Sequence, residues 1–171
     1  MNEPPEVEEP HLELVRRLAA TLPKFDDGRI DYSTSTTAPV VNCMVFYDDR
    51  ILLLQRSDRV GEYKGSWSGV DGYIDRPVAV EDIVLNELQE ELGITKKDIA
   101  RIAVAKSYES DDQQAGVTWI VFPVLVELLR LPKITLDWEH AQYRWISPSE
   151  LSNFDFLPGQ DRVLRLALTL R

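Results

Sequence analysis

One stretch of 23 residues constrains this chain more than any other: residues 72–94, GYIDRPVAVEDIVLNELQEELGI. Within it, Glu87, Glu90 and Glu91 stand at i, i+3 and i+4, a spacing that places all three on one face of a helix. Like charges at that spacing destabilise a helix by roughly 0.2–0.5 kcal/mol per pair. A divalent cation would offset this repulsion, because hard cations take carboxylate and carbonyl oxygens as ligands. We therefore predict a metal-binding carboxylate helix.

The apolar residues of the same stretch predict where this helix lies. Val80, Val84 and Leu88 repeat every four residues and form a stripe that should pack on a sheet. Gly93 is suited to the position just after the last turn, where a left-handed backbone is common. We expect a helix from about Val80 to Leu92 whose carboxylate face opposes or flanks its buried face.

The rest of the chain predicts a mixture of strands and helices. We expect a helix over residues 11–22 that ends at Pro23, and a linker over 24–38 whose Ser/Thr run is a candidate edge strand. Predicted strands cover residues 40–47, 51–56, 99–107, 117–129 and 143–146, and residues 111–116 are expected to be a polar loop. Pro123 indicates an edge or a bulge in the fourth strand. The strands do not alternate strictly with helices, so we predict an α/β fold with a mixed sheet covered on both faces.

The C-terminal end carries two helix signals. Ser147, Pro148 and Glu150 fit the N-cap, first position and third position of a capping box. Residues 160–170 predict a final amphipathic helix. Its expected inward residues are Val163, Leu164, Ala167 and Leu168.

Charge and length exclude some classes of function. The 171 residues suit one domain with a short extension. There are 19 Lys and Arg against 29 Asp and Glu, for a formal charge of −10. This balance argues against binding polymeric nucleic acid, which requires a basic surface. A small phosphorylated molecule remains compatible, because a bound metal can invert the local charge.

The sequence also indicates a compartment. Cys43 is the single cysteine, which permits no internal disulfide and favours a reducing, cytoplasmic location. Residues 1–10 are acidic and rich in proline, so we expect an irregular or disordered arm in which Pro4, Pro5 and Pro10 block a helix. They lack the basic and apolar regions of a signal peptide. No apolar run approaches 18 residues, so we predict no membrane span.

Residues 72–94 resemble the signature of the Nudix hydrolases: Gly, five residues, Glu, seven residues, Arg-Glu, an aliphatic, any residue, Glu-Glu, any residue, Gly, an aliphatic. The matching positions are Gly72, Glu87, Leu88, Glu90, Glu91, Gly93 and Ile94. Val78 replaces the first Glu and Asn86 replaces the Arg. The segments ILLLQRS and EHAQYRW also resemble the family's order. The resemblance covers about residues 38–170 and implies a Nudix-like α/β/α sandwich with the acidic helix packed on a mixed sheet. It divides the chain into an arm and helix over 1–37 and a hydrolase domain over 38–171.

The resemblance implies roles for individual residues. The metal ligands would be Glu87, Glu90, Glu91 and the backbone carbonyl of Asp71, with Mg²⁺ as the cation and Mn²⁺ as an alternative. A carboxylate would take the proton from an attacking water, and the candidates are Glu87 first and Glu139 second. We interpret His140, next to Glu139, as structural.

Substrate contacts are predicted more broadly. Arg56 is the first candidate for phosphate, followed by Arg76 and Lys64, because guanidinium groups suit phosphate oxygens. Tyr63 and Trp67 lie in a long loop and are candidates for the substrate's organic group. Gly72, at the end of that loop, is a substrate-binding candidate because a glycine lets the backbone approach a ligand. Tyr108 and Trp138 are further aromatic candidates. Each of these residues also fits an ordinary core or surface role.

The two mismatches bear on activity. In the Nudix family the missing Glu and Arg help to fix the loop before the helix and to orient its acids. Losing both replaces an ion pair by two uncharged side chains. Such a replacement can leave the free energy of unfolding nearly unchanged. We predict that Val78 and Asn86 leave metal binding in place and produce slow or specialised turnover.

Several functions stay open at the level of sequence. The leading hypothesis is Mg²⁺-dependent hydrolysis of a diphosphate bond in a nucleoside diphosphate linked to another moiety, or in a nucleoside triphosphate. A second is a non-catalytic module that binds a phosphorylated ligand. A third is an isopentenyl-diphosphate isomerase-like enzyme, although residues 67–75 contain neither Cys nor His. A fourth is a purely structural protein. A homodimer through residues 11–38 is one arrangement we consider.

Overall fold

A mixed eight-stranded sheet forms the centre of the protein, seen in a computed structural model that describes residues 10–171. Its strands are β1 (Thr37–Tyr47), β2 (Arg50–Arg56), β3 (Trp67–Ser68), β4 (Val70–Tyr73), β5 (Ile99–Val104), β6 (Tyr108–Asp112), β7 (Val117–Leu128) and β8 (His140–Ile146). Three α-helices, α1 (Pro10–Thr21), α2 (Val80–Leu92) and α3 (Gln160–Leu168), cover it. Two 3₁₀ helices span Lys96–Asp98 and Pro148–Asn153.

The order of the strands brings the two halves of the chain together. The main path is β3-β2-β1-β7-β5, with β8 beside β2, β4 beside β1 and β6 beside β7. The β1–β7 pair is parallel and the other pairs are antiparallel. The first part of β1 pairs with β4, and its last residues pair with β2. This arrangement places β4 next to the centre of the sheet, where α2 follows it.

Alternating residues of the central strands build two cores. On one face, Val41, Cys43 and Val45 of β1 pack in a cluster with buried residues of α2. On the other face, Met44 and Phe46 join a cluster with α3. Each fully buried aliphatic or aromatic side chain contributes about 1.5–3 kcal/mol. The α/β/α sandwich with a mixed sheet is therefore confirmed.

The helix predicted from the acidic stretch is observed with the expected bounds. Its buried apolar residues are Val80, Ile83, Val84, Leu88 and Leu92. Gly93 follows it with φ of 69° and donates its N–H to the carbonyl of Gln89. A residue with a Cβ is strained at that φ, which explains the glycine there.

At the N-terminal end, the irregular arm predicted for residues 1–10 falls on residues 1–9, outside the described part of the chain. Pro10 itself begins α1 and does not block it. Proline is compatible with the first helical position, since that residue's N–H has no partner within the helix. The Ser/Thr run over 33–36 forms turns and not an edge strand.

Three further expectations in the sheet differ from the structure. The strand predicted for 99–107 ends at Val104, and β6 replaces part of the predicted loop over 111–116. Pro123 lies in a strand that is paired on both sides, not on an edge. Its position falls between Val121, which pairs with β6, and Val124, which pairs with β5. The missing N–H therefore coincides with the change of neighbouring strand.

The C-terminal expectations hold with two changes. The capping box of Ser147 and Glu150 is present, but the helix it begins is a 3₁₀ helix. In α3, Val163, Leu164 and Ala167 are buried, whereas Leu168 is exposed and not inward. Within residues 10–171, no helix is both long and apolar enough to cross a membrane.

Candidate active site

Strand β4 and helix α2 approach each other closely at Gly72. A Cβ at this position would lie 2.5 Å from the carboxyl carbon of Glu87. Contacts this short do not occur, so only glycine lets the Glu87 side chain rest against the strand. The preceding residue, Asp71, is opposite Asn42 of β1 and is partly buried. Asp71 and Glu87 thus enter one site from the strand and the helix.

Glu91 lies deeper in the same site. It is only 5% exposed, and its Oε2 atom has no hydrogen-bond partner in the described part of the chain. The nearest cationic candidate is His140, whose Nε2 is 3.8 Å from Oε2. The Nδ1 of His140 is 3.1 Å from the Asp137 carboxylate, which identifies Nδ1–H as the donor. Burial lowers the pKa of His140, so the imidazole does not supply a stable opposing charge.

The carboxyl groups of the site hold their protons unusually strongly. Burial raises the pKa of Asp71 to about 7, of Glu87 to about 8 and of Glu91 to about 10. Repulsion among the acids raises the pKa values of Glu87 and Glu91 further. These shifts mark a place where ionised carboxylates would lie close together without a compensating charge. Such a place favours a cation.

A loop attached to the end of α2 brings Glu139 to this cluster. The amides of Thr135 and Asp137 donate to the last helical carbonyls, those of Leu92 (3.0 Å) and Glu91 (3.2 Å). Ser57 holds the other side of the loop, because its amide donates to the Glu139 carbonyl at 2.7 Å. Burial raises the pKa of the Glu139 carboxyl, and Asp137 raises it further.

Arg56, at the end of β2, supplies positive charge beside these acids. Its charge opposes the increase in the pKa of both Asp71 and Glu139. Its Nε donates to the carbonyl of Glu62 at 3.2 Å. The guanidinium is therefore positioned close to the carboxylate cluster, where we predicted a phosphate contact.

Glu90 faces a neighbouring cleft and not the buried cluster. This exposed side chain lines a cleft of about 300 Å³. The other lining residues are Asp27, Arg29, Asp75, Arg76, Ile83, Asn86 and Glu87. Glu87 belongs to both places, so the cleft is continuous with the cluster.

The aromatic candidates are held by other contacts. The Tyr63 hydroxyl donates to Asp112 at 3.3 Å, and Trp67 packs edge-on against Phe154 in the core. Tyr108 carries the guanidinium of Arg162 over its ring at 3.7 Å. Burial is the main cause of the raised pKa of the Tyr108 hydroxyl, and Asp71 contributes least among its charged neighbours.

Trp138 and Lys64 lie on the outside. Trp138 is 51% exposed, and Arg59 stacks over its ring at 5.6 Å. Lys64 is exposed on the loop that also carries Tyr63. Sequence reasoning missed Arg29 as a neighbour of the motif helix, since no local pattern connects it with that helix, and it missed Asp75, which lies within residues 72–94 at an unconstrained position of the signature.

The acidic residues of the site have the chemistry needed to bind a divalent cation. No three His, Cys, Asp or Glu groups within residues 10–171 are arranged to enclose an ion by themselves. Mg²⁺ does not need such a cage, because it keeps several waters and takes one or two carboxylates plus substrate phosphate oxygens. The partnerless Oε2 of Glu91, beside Glu87 and Asp71, offers the hard oxygen ligands this ion prefers. The residues therefore fit the ion.

Comparisons with known proteins agree with this geometry. The family model described as NUDIX domain matches residues 36–167. An uncharacterized Nudix hydrolase of Bacillus subtilis, YvcI, is 25% identical over 73% of this chain and 75% of its own length. The nucleoside triphosphatase NudI of Escherichia fergusonii is 24% identical over 74% of this chain and 94% of its own. The NUDIX domain of Shewanella oneidensis NrtR, solved with ADP ribose, superposes with a TM-score of 0.66 at 15% identity, over 81% of this chain and 90% of that one. The chain belongs to the Nudix hydrolase family and is an enzyme of the pyrophosphohydrolase type.

Proposed function

We propose that this enzyme hydrolyses a diphosphate bond in a nucleoside diphosphate linked to another moiety, or in a nucleoside triphosphate, with Mg²⁺ as cofactor. The observation that carries the proposal is the buried Glu91 carboxyl group, whose Oε2 finds no hydrogen-bond partner within residues 10–171 and which stands beside Asp71 and Glu87. Its raised pKa keeps this group protonated without a ligand, because the ionised form is costly there unless a cation compensates the charge. The nucleotide class is supported by the triphosphatase activity named for one relative and the ADP ribose bound to one neighbour.

In this proposal the acids of α2 are metal ligands. Glu87 and Glu91 are one turn apart and bind the same cation, with the Asp71 carbonyl completing the protein's share of ligands and Glu90 serving that ion or a second one. Bound Mg²⁺ would neutralise phosphate charge and lower the pKa of a water. Mn²⁺ has similar ligand preferences and is expected to substitute for it.

Proton transfer and substrate contacts fall to the surrounding residues. Glu87 is our first candidate for the general base and Glu139 the second, because both carboxyls have raised pKa values and lie in the cluster. Arg56 is proposed to contact phosphate oxygens. Gly72 is proposed to let the substrate and Glu87 approach the strand. Tyr63 and Trp67 remain predictions for the organic group.

The experiment is a substrate panel with and without Mg²⁺. ADP-ribose, a dinucleoside polyphosphate and the nucleoside triphosphates are each incubated with enzyme, and products are separated by ion-exchange chromatography. We expect cleavage of at least one compound that stops with EDTA and resumes with Mg²⁺ or Mn²⁺. Saturable binding of a panel member without product at high enzyme concentration would instead favour the non-catalytic module.

The panel also separates the remaining alternatives. Isopentenyl diphosphate is included, and its isomerisation would favour the isomerase-like reading; the Cys43 thiol, however, is buried in the sheet. A cytoplasmic location and a homodimer through residues 11–38 remain predictions. Light scattering of the purified chain measures the oligomeric state directly.

A further inference from the structure

The segment before the NUDIX domain lies against the loop that leads into the motif helix. The family model begins at residue 36, whereas residues 11–32 contact residues 74–79, which we name the motif loop. The motif loop joins β4 to α2 and carries Val78, the first of the two departures from the family signature. The second departure, Asn86, is on α2 itself.

Three backbone carbonyls of the motif loop accept hydrogen bonds from this N-terminal segment. The Tyr32 hydroxyl donates to the Ile74 carbonyl at 2.8 Å, and the Ile30 amide donates to the Asp75 carbonyl at 2.9 Å. His11 Nε2 lies 3.0 Å from the Val78 carbonyl, which makes Nε2–H the donor. The three donors come from buried residues. Hydrogen bonds away from water are directional and hold their partners in place.

Arg29 adds charge to this contact. Its Nη1 is 3.7 Å from one oxygen of Asp75, and Arg76 Nε is 3.6 Å from the other oxygen. Asp27 orients the Arg29 guanidinium through an Nε–Oδ2 hydrogen bond of 2.7 Å. Arg29 is thus a cation placed on the motif loop by residues outside the NUDIX domain.

The location of Arg29 matches the location of the missing charge. Arg29, Asn86, Glu87 and Glu90 line the same cleft. The signature has Arg where Asn86 stands, so Arg29 delivers a guanidinium to the cleft from another part of the chain. Val78, in turn, packs against the hydrophobic core on the α2 side of the sheet and carries no charge for a partner.

We propose that the N-terminal segment, with Arg29 as its principal charged residue, is a positioning element that replaces the missing Glu–Arg pair and holds the motif loop and Glu87 in register. The inference rests on the proposed function, because the held site is the proposed hydrolytic site. Arg29 is a positioning residue that acts through Asp75 and the motif loop.

The test compares Arg29→Gln with Arg29→Lys and with Arg165→Gln. Arg165 is an exposed arginine that pairs with Asp161 on α3, so it is a matched surface control. For Arg29→Gln we expect faster amide hydrogen exchange over residues 74–79 and about tenfold weaker Mn²⁺ binding by calorimetry, the lower part of the range for losing a residue that orients metal ligands. Arg29→Lys should recover most of the affinity, and Arg165→Gln should match the natural chain.

Rescue separates positioning from general stability. Adding Val78→Glu and Asn86→Arg to Arg29→Gln rebuilds the family's pair, and we expect Mn²⁺ affinity and slow exchange over residues 74–79 to return. If circular dichroism shows that the triple variant does not fold, the comparison of Arg29→Lys with Arg29→Gln decides whether the charge at position 29 holds the motif loop. Equal exchange and equal Mn²⁺ affinity in Arg29→Gln and Arg165→Gln would overturn the proposal.

The inference and the proposed function can fail separately. If the natural chain binds no Mn²⁺ and cleaves no panel compound, the proposed function fails, while hydrogen exchange over residues 74–79 still tests the contact. If the natural chain binds Mn²⁺ and turns over substrate, but Arg29→Gln does so equally well with unchanged exchange, only the inference fails.

Discussion

Two buried acids near the end of α2, Glu91 and Asp98, have opposite surroundings. Asp98 Oδ2 accepts hydrogen bonds from the amide and the hydroxyl of Thr95 at 3.0 and 2.9 Å. Its Oδ1 accepts from Arg130 Nε and Nη2 at 2.8 and 2.7 Å. Within the described part of the chain, Glu91 Oε2 has no such partner, although Glu91 is also buried.

The difference distinguishes an acid that stabilises the fold, Asp98, from an acid whose surroundings suit a bound cation, Glu91. Hydrogen bonds from Thr95 and Arg130 hold the pKa of Asp98 below its ordinary value. Burial and neighbouring acids raise the pKa of Glu91 to about 10. Natural proteins satisfy nearly all buried polar atoms, so an exception indicates an unfilled chemical requirement. Four experiments test this contrast between Glu91 and Asp98.

The largest effect is expected from Glu91→Gln. The amide keeps the shape but removes an anionic oxygen from the cluster, so we expect kcat/KM at saturating Mg²⁺ to fall on the order of 100-fold or more. The same change at Glu81, in the first turn of α2, is the matched control and should leave kcat/KM unchanged. Equal activity of the two variants would remove Glu91 from the site.

The second effect concerns stability in the presence of metal. Mg²⁺ that binds only the folded state at about 100 times its Kd should raise the free energy of unfolding of the natural chain by about 2.7 kcal/mol. We expect the same gain in Asp98→Asn and almost none in Glu91→Gln, measured by urea denaturation with Mg²⁺ or EDTA. A gain of similar size in Glu91→Gln would place the cation elsewhere.

The third effect comes from Gly72→Ala, which disturbs the cluster without touching Glu91. The new methyl group overlaps Glu87 and forces it away from β4. Because the overlapped atoms are the far end of the flexible Glu87 side chain, that side chain can move aside, and we expect a stability loss of about 1 kcal/mol, at the low end for overpacking. We expect activity to fall further than that loss explains at temperatures where the variant remains folded. Thermal denaturation and initial rates below the transition measure both quantities. Unchanged rates would show that Glu87 tolerates displacement.

The smallest effect is the pH dependence that Asp98 contributes. Because the pKa of Asp98 in the folded state lies below the ordinary value of 3.8, its stabilisation is present above that pH and is lost as pH falls through the folded-state pKa. In EDTA, the natural chain should therefore exceed Asp98→Asn in urea midpoint at pH 6, and the gap should close in the acid range below about 3.8. A gap that is constant with pH would mean that the carboxylate charge contributes nothing.

Elements determined by local interactions could be predicted from the sequence, whereas elements determined by contacts between distant residues could not. The bounds of α2 follow from a local apolar stripe and Gly93, and the fold class followed from the family signature together with the mixed element pattern. By contrast, β6 has the sequence YESDD and is a strand because it pairs with β7. Pro123 was interpreted as a sign of an edge or a bulge, because a change of neighbouring strand is not visible in the sequence of one segment.

The same reasoning applies to the site. Glu87, Glu90 and Glu91 were recognisable from spacing, yet the spacing did not tell that Glu91 is buried and Glu90 exposed. Helix rotation relative to the sheet decides this, and that rotation depends on packing with β1 and β4. Arg29 was not predicted, because its contact with Asp75 is formed across a long separation in sequence.

The docking of the 135–139 loop onto the last carbonyls of α2 has a consequence for how this chain can vary. Thr135 and Asp137 are hydrogen-bonded through their amides to the carbonyls of Leu92 and Glu91. These bonds fix the position of the loop that carries Glu139 relative to the end of α2. Extra residues inserted before this attachment, over residues 131–133 that follow the bonds of Leu129 and Arg130 to Asp98, would lengthen a loop without moving the acids. Insertions within 135–139 would change the distance between Glu91 and Glu139, so length variation should be tolerated on one side of Thr135 and eliminated on the other.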